Sequence, residues 1–182
     1  MNRIRVFILI VALVTASSFS LMAQDAAVED AGFKKWENTL EASLNSNYSN
    51  YTLSEYSIGL KYWFNEKAGL GVDFSGLGQL AFKDKPRSFS PVLDLGLAGA
   101  FRIIDKERSR LELNVGVGSC ILASKSEYSL YCDCALRYGF LYDKSARVNP
   151  YVSLGVSYRH PYETDLFKDK AMMSIGIGMW LK

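Results

Sequence analysis

Residues 110–122 read Arg110-Leu111-Glu112-Leu113-Asn114-Val115-Gly116-Val117-Gly118-Ser119-Cys120-Ile121-Leu122. Leu111, Leu113, Val115, Val117 and Ile121 share one phase, while Glu112, Asn114 and Gly116 share the other. Successive side chains of an extended chain point to opposite faces, so this period of two describes a strand with one apolar and one polar face.

The same alternation recurs on both sides, in segments separated by Asn, Lys, Asp, Ser and Pro. Eight such segments are legible: 36–46, 53–64, 69–80, 91–102, 110–122, 128–142, 150–160 and 171–181. None has helical periodicity. Their apolar phase carries Tyr56, Ile58, Leu60, Tyr62 and Phe64 in the second segment, and Leu93, Leu95, Leu97 and Phe101 in the fourth. The sixth carries Tyr128, Leu130, Leu136, Phe140 and Tyr142, with Cys132 and Cys134 between; the eighth carries Met173, Ile175, Ile177, Met179 and Leu181. The polar phase is Glu41 and Ser43, Ser57 and Lys61, Asp73 and Ser75, Asp94 and Gly96, then Asp133, Arg137, Ser153, Gly155 and Ser157.

Alternation does not say which face meets water. A soluble sandwich buries the apolar face, whereas a membrane barrel turns it to lipid and keeps the polar face inside. Three features select the barrel. The polar face is rich in glycine and serine and holds one lysine, Lys61, whereas solvated sheets use lysine to discourage edge pairing. The other lysines fall in the turns, at Lys67, Lys83, Lys85, Lys106, Lys125, Lys144, Lys168 and Lys170. Aromatic residues gather at the segment ends: Trp36, Tyr62, Phe64, Phe101, Phe140, Tyr142 and Tyr151 at one, Tyr48, Tyr51, Tyr56, Phe89, Tyr128 and Tyr158 at the other. Such girdles mark two membrane interfaces. Segments of roughly 9–11 residues span a bilayer when tilted, and closure removes the unpaired edges that hydrocarbon does not tolerate. The fold class is therefore all-β: an eight-stranded antiparallel up-and-down transmembrane β-barrel.

The chain's start gives the compartment. Arg3 and Arg5 precede an apolar run from Val6 to Val14, and Leu21-Met22-Ala23 before Gln24 offers a cleavage site. This is the layout of a secretory signal peptide, and the run is too short to span a membrane as a helix. The expected organisation is a signal peptide at 1–23, a periplasmic leader at 24–35 and an outer-membrane β-barrel at 36–182. Cleavage takes two of the 21 basic residues and none of the 19 acidic ones, leaving a balanced chain with no footprint for nucleic acid. Turns at 65–68, 103–109 and 143–149 face the periplasm on this reading, and loops at 47–52, 81–90, 123–127 and 161–170 face outward. Cys132 and Cys134 lie two apart on one strand and point the same way, and Cys120 falls on the opposite phase, so all three thiols are expected to stay reduced.

Several stretches carry a family likeness: Ala23-Gln24 at the processing site, Lys61-Tyr62-Trp63-Phe64-Asn65-Glu66-Lys67, Gly69-Leu70-Gly71-Val72-Asp73-Phe74, and Ser174-Ile175-Gly176-Ile177-Gly178-Met179-Trp180. With them the chain resembles the small eight-stranded outer-membrane barrel proteins of the OmpA/OmpX type, and in particular the barrel-domain proteins common in Bacteroidota. The resemblance implies the outer membrane of a Gram-negative bacterium, with outer-membrane lipid, surface glycolipid and the outer-membrane assembly machinery as partners. Such barrels end on an aromatic residue, whereas this chain ends Trp180-Leu181-Lys182 with Trp180 in the inward phase.

Chemistry is sparse. The lipid-modifying enzymes of this membrane need a His-Ser pair at the outer rim aided by a carboxylate. His160 is the one histidine, with Glu163 and Asp165 following and Ser124, Ser126 and Ser129 in a neighbouring loop, but Pro161-Tyr162 after it breaks the His-x-Ser pattern. The chain is accordingly read as no enzyme, with no cofactor and no metal or catalytic residues, and as a monomer. A structural or interaction barrel leads, ahead of a narrow solute pore and a lipid-modifying enzyme. An eight-stranded interior is only wide enough for side chains to fill. Hairpin register then pairs Asp133 with Arg159, Lys61 with Asp73 and Arg102 with Glu112 as ion pairs plugging the lumen.

Overall fold

A computed structural model describes residues 35–47, 51–82, 92–123, 128–161 and 171–182. The signal peptide, nearly all of the leader, and Tyr48, Phe89, Ser124, Ser126, Glu163 and Asp165 lie outside the described residues, as do Lys83, Lys85, Lys125, Lys168 and Lys170. The eight strands are β1 (Trp36–Ser46), β2 (Tyr51–Trp63), β3 (Ala68–Phe82), β4 (Val92–Lys106), β5 (Ser109–Leu122), β6 (Ser129–Gly139), β7 (Val148–Pro161) and β8 (Ala171–Leu181). Each pairs antiparallel with its sequence neighbours, and β8 returns to β1, closing the barrel.

The stagger can be followed residue by residue. From Trp36 the paired row runs through Tyr62, Leu70, Gly99, Val115, Cys134, Val156 and Met173 and comes back to β1 at Ser46, ten residues along. With strands about 4.8 Å apart and a rise of about 3.3 Å, that stagger sets a tilt of about 40° and a backbone radius of about 8 Å. At that radius, long side chains from opposite walls meet.

The faces fall as the alternation dictates. Leu95, Leu97, Val115, Val117, Ile175 and Ile177 are exposed on the outer surface, and Lys61, Glu112, Asn114 and Ser153 are buried inside. Glycines opposite bulky inward residues make the interior packable. A Cβ on Gly116 would lie 2.3 Å from Asp133 Oδ1, and one on Gly71 would lie 2.4 Å from the Leu60 carbonyl oxygen.

Alternation misplaces several residues. Leu93 is buried beside Val92 and Asp94, because the β4–β5 ladder shifts register between Leu93 and Asp94. The expected turn at 103–109 is mostly strand: only Glu107 and Arg108 separate β4 from β5, and a second register shift lies between Arg102 and Ile104. Strand β6 stops at Gly139, so Tyr142 leaves the outward phase and is 3% exposed. Tyr151, at 1%, is likewise interior rather than part of a girdle. Trp36, Phe64, Phe101 and Phe140 do form an exposed ring at that end. At the other end Tyr56 and Tyr158 are exposed, while Tyr128 packs against an interior apolar cluster.

Asn65 closes the β2–β3 turn by accepting the N–H groups of Lys67 and Ala68, each at 2.8 Å. In the β6–β7 turn the N–H and hydroxyl of Ser145 donate to Asp143, holding that carboxyl below its ordinary pKa.

Candidate functional site in the barrel interior

Three layers fill the lumen. At the short-turn end, Trp63 and Trp180 have no exposed surface. Tyr151 lies 4.5 Å from the Trp180 ring centroid and Tyr142 lies 6.0 Å from it edge-on. The Arg110 guanidinium sits 4.3 Å from the Trp180 ring centroid and 5.3 Å from that of Trp63, and Arg102 covers Trp63 at 3.7 Å. Stacking of planar cations on desolvated rings holds both. Just outside this layer, Lys182 donates to the Tyr142 hydroxyl at 2.9 Å and to the Lys144 carbonyl at 3.2 Å. Burial, and then the neighbouring Arg110 charge, lower its pKa to about 8.

Above the rings lies a connected ion network. Arg110 grips Glu37 bidentately at 2.5 and 2.8 Å, and also donates to Glu112. Lys61 donates to the other Glu112 oxygen at 2.6 Å. Arg137 reaches Glu41 at 2.9 Å and Glu112 at 3.7 Å, and Arg102 reaches Glu37 at 3.5 Å. Glu41 also accepts from Tyr151 at 2.9 Å and Ser153 at 2.6 Å. Several bonds per carboxylate are what makes buried charge tolerable.

Towards the long-loop end, Arg159 bonds Asp94 at 2.5 Å and Ser129 at 3.0 Å. Beyond them Leu53, Leu77, Val92, Cys120 and Met172 form an apolar cluster backed by Ala123 and Tyr128. Between the network and this plug lies a polar cavity of about 70 Å³ whose walls include Glu55, Asp73, Asp133, Asn114 and Tyr131.

All six residues singled out by hairpin register belong to this interior, but their partners differ. Arg159 bonds Asp94 and not Asp133, because Tyr131 rather than Asp133 lies opposite Arg159. Lys61 bonds Glu112 and not Asp73, which pairs in the ladder with Gly59. Arg102 does lie opposite Glu112, yet its ion pairs are to Glu37 and Asp105. The physical reason is shared. Inward side chains of neighbouring strands splay toward the axis, and the observed bonds cross the lumen: β1 to β5, β2 to β5, β1 to β6 and β4 to β7. Sequence reasoning missed Glu37, Glu55, Arg110, Trp63 and Tyr151, although each stands in the polar phase of its strand.

His160 is exposed at the end of β7, whereas Ser129 is buried inside and engaged by Arg159. No disulfide links Cys120, Cys132 or Cys134.

A closed eight-stranded barrel with an apolar outer face and a packed polar interior defines a transmembrane β-barrel of the outer-membrane type. A solved structure shares this fold. Neisserial surface protein A is similar over 83% of this chain and 99% of its own, with 14% identity and a TM-score of 0.59. The N-terminal barrel domain of Pseudomonas aeruginosa OprF matches over 80% of this chain and 96% of its own, at 10% identity and a TM-score of 0.48. The sequence matches no protein-family model and no curated protein.

Proposed function

We propose that this is an outer-membrane barrel with a structural or interaction role in the cell envelope, closed to solutes and without enzymatic activity. The observation that carries this reading is the interior itself. Arg110, Glu112, Lys61, Trp63 and Trp180 cross the lumen with no exposed surface, below an apolar plug. An ion following the axis has to break that network. The surface protein of Neisseria supports the envelope setting through its name alone. The export signal at 1–23 supports the outer membrane of a Gram-negative bacterium, and the resemblance to Bacteroidota barrel proteins suggests the lineage. In that setting the short turns face the periplasm, the outer face meets lipid and surface glycolipid, and the barrel inserts through the assembly machinery as a monomer. Reconstitution in planar bilayers tests the reading. The intact protein is expected to give no steady conductance, and a stable open channel overturns the closed-barrel reading in favour of a narrow pore.

A further inference from the structure

The rim at the short-turn end carries an apolar surplus that strand alternation does not explain. Ile103 and Ile104 are consecutive and both exposed, at 57% and 37%, because β4 shifts register between Arg102 and Ile104. Phe140 and Leu141 are also consecutive and exposed, at 52% and 68%, just after β6 stops at Gly139. A strand turned to lipid on one face exposes every second residue; a bulge or a strand end is what brings neighbours out together. In this sector the apolar belt therefore continues past the aromatic ring to the turns, whereas the β2–β3 turn exposes Asn65, Glu66 and Lys67.

Beside this surplus lies a groove of about 780 Å³, within the size range of small-molecule sites. It runs between the β4–β5 and β6–β7 turns, which the Lys144 N–H joins by donating to the Glu107 carbonyl at 3.2 Å. Phe140 and Leu141 form its apolar wall, and Arg108, Lys144, Glu107 and Asp143 supply two charges of each sign. Neither Arg108 nor Glu107 has an ion-pair partner among the described residues. Lys144 reaches Asp105 at 3.8 Å from a side chain that is 58% exposed, so it is loosely held.

A plain anion meets Arg108 and Lys144 but is repelled by Glu107 and Asp143, and a plain cation has the reverse difficulty. A zwitterion with separated charges satisfies both, and an apolar tail lets it use the wall of Phe140 and Leu141. We propose that this groove seats the headgroup of a zwitterionic phospholipid of the phosphoethanolamine class. Arg108 and Lys144 take the phosphodiester, Glu107 takes the ammonium, and the acyl chains run along Phe140 and Leu141 into the bilayer. A guanidinium donates in parallel to two phosphate oxygens, and a primary ammonium brings three donors that a quaternary amine lacks. The site rests on the membrane-barrel reading but not on a closed lumen, so lipid binding and bilayer conductance fail separately.

The test is native mass spectrometry of the full-length processed protein released from a nonionic detergent. Phosphatidylethanolamine, phosphatidylglycerol and phosphatidylcholine with identical acyl chains are offered at equal concentration. The ethanolamine lipid should bind roughly two- to fivefold more tightly than either of the others, the increment of one exposed ion pair. Arg108→Gln should weaken all three lipids, because each carries the phosphate. Glu107→Gln should erase the preference for ethanolamine over choline while the glycerol lipid binds no worse. Glu66→Gln, the same charge change in the β2–β3 turn, should leave the ranking as in wild type. Equal binding of the three lipids, or a wild-type preference for the glycerol lipid, overturns the proposal. So does an ethanolamine preference that survives both Arg108→Gln and Glu107→Gln, since the lipids then form an unspecific annulus.

Discussion

Removing the Glu112 charge is the most informative perturbation of this interior. Its carboxylate has no exposed surface, meets Lys61 at 2.6 Å and Arg110 on its other oxygen, and lies 3.7 Å from Arg137. At an effective dielectric of about 20, a unit-charge pair 2.6 Å apart attracts by about 6 kcal/mol. Desolvating the two ions costs several kcal/mol each, so the intact pair comes out near balance. Glu112→Gln upsets the balance on one side only. The attraction is lost, while Lys61 remains buried with its desolvation cost and faces Arg137 and Arg110 without the intervening charge. The expected loss is about 3–5 kcal/mol, the range for breaking a buried pair from one side. Lys61→Met should cost less, about 1–3 kcal/mol, since Glu112 keeps Arg110. Because the double variant removes one charge of each sign, its loss should fall short of the sum by about 0.5–3 kcal/mol. Equilibrium urea unfolding of the refolded barrel in lipid vesicles measures all three. Strict additivity, or an unchanged midpoint for Glu112→Gln, refutes the reasoning.

The outer face makes a separate prediction: Leu97→Arg or Val115→Arg should each destabilise the barrel by about 2–4 kcal/mol in bilayers, and unchanged urea midpoints contradict the face assignment. Gly71→Ala drives a Cβ to 2.4 Å from the Leu60 carbonyl oxygen, so it should lower stability by about 1–3 kcal/mol in the same assay. Lys182 has its pKa depressed on folding, to about 8, so the unfolded chain binds its proton more tightly between that value and its ordinary 10.5. Stability should therefore rise as pH climbs through that window and be insensitive to this group below it; Lys182→Met should flatten the slope.

Strand number, order and facing were legible because each rests on local alternation. Val115 and Val117 declare their face within one segment, and no partner has to be known. Errors occur where a local rule meets a non-local event. Leu93 sits at a register shift, and Tyr142 follows a strand that ends three residues earlier than its alternation does. Interior partners were legible only by type. Arg159 and Asp94 are 65 residues apart and Arg110 and Glu37 are 73 apart, on walls that never share a ladder. Finding them requires the stagger, and the stagger is set by the closure of β8 on β1, which no single hairpin reveals.

That dependence gives the interior a task the outer face cannot perform. A slip of one residue in any ladder turns the apolar side chains inward, so lipid enforces parity strongly. A slip of two residues leaves every Leu, Val and Ile facing outward, and the hydrocarbon gains or loses little. Inside, the same slip moves each polar side chain one layer along the axis relative to the next strand. Lys61 would leave the level of Glu112, and Arg110 that of Glu37, stranding ions that are now fully buried. The glycine pockets would move as well: Asp133 rests where Gly116 lacks a side chain, and the slip sets it against Asn114, or against Gly118 with Tyr131 of the same strand carried off that glycine onto Cys120. The lipid face thus selects which side is out, and the cross-lumen charges and the glycines beside them select the register.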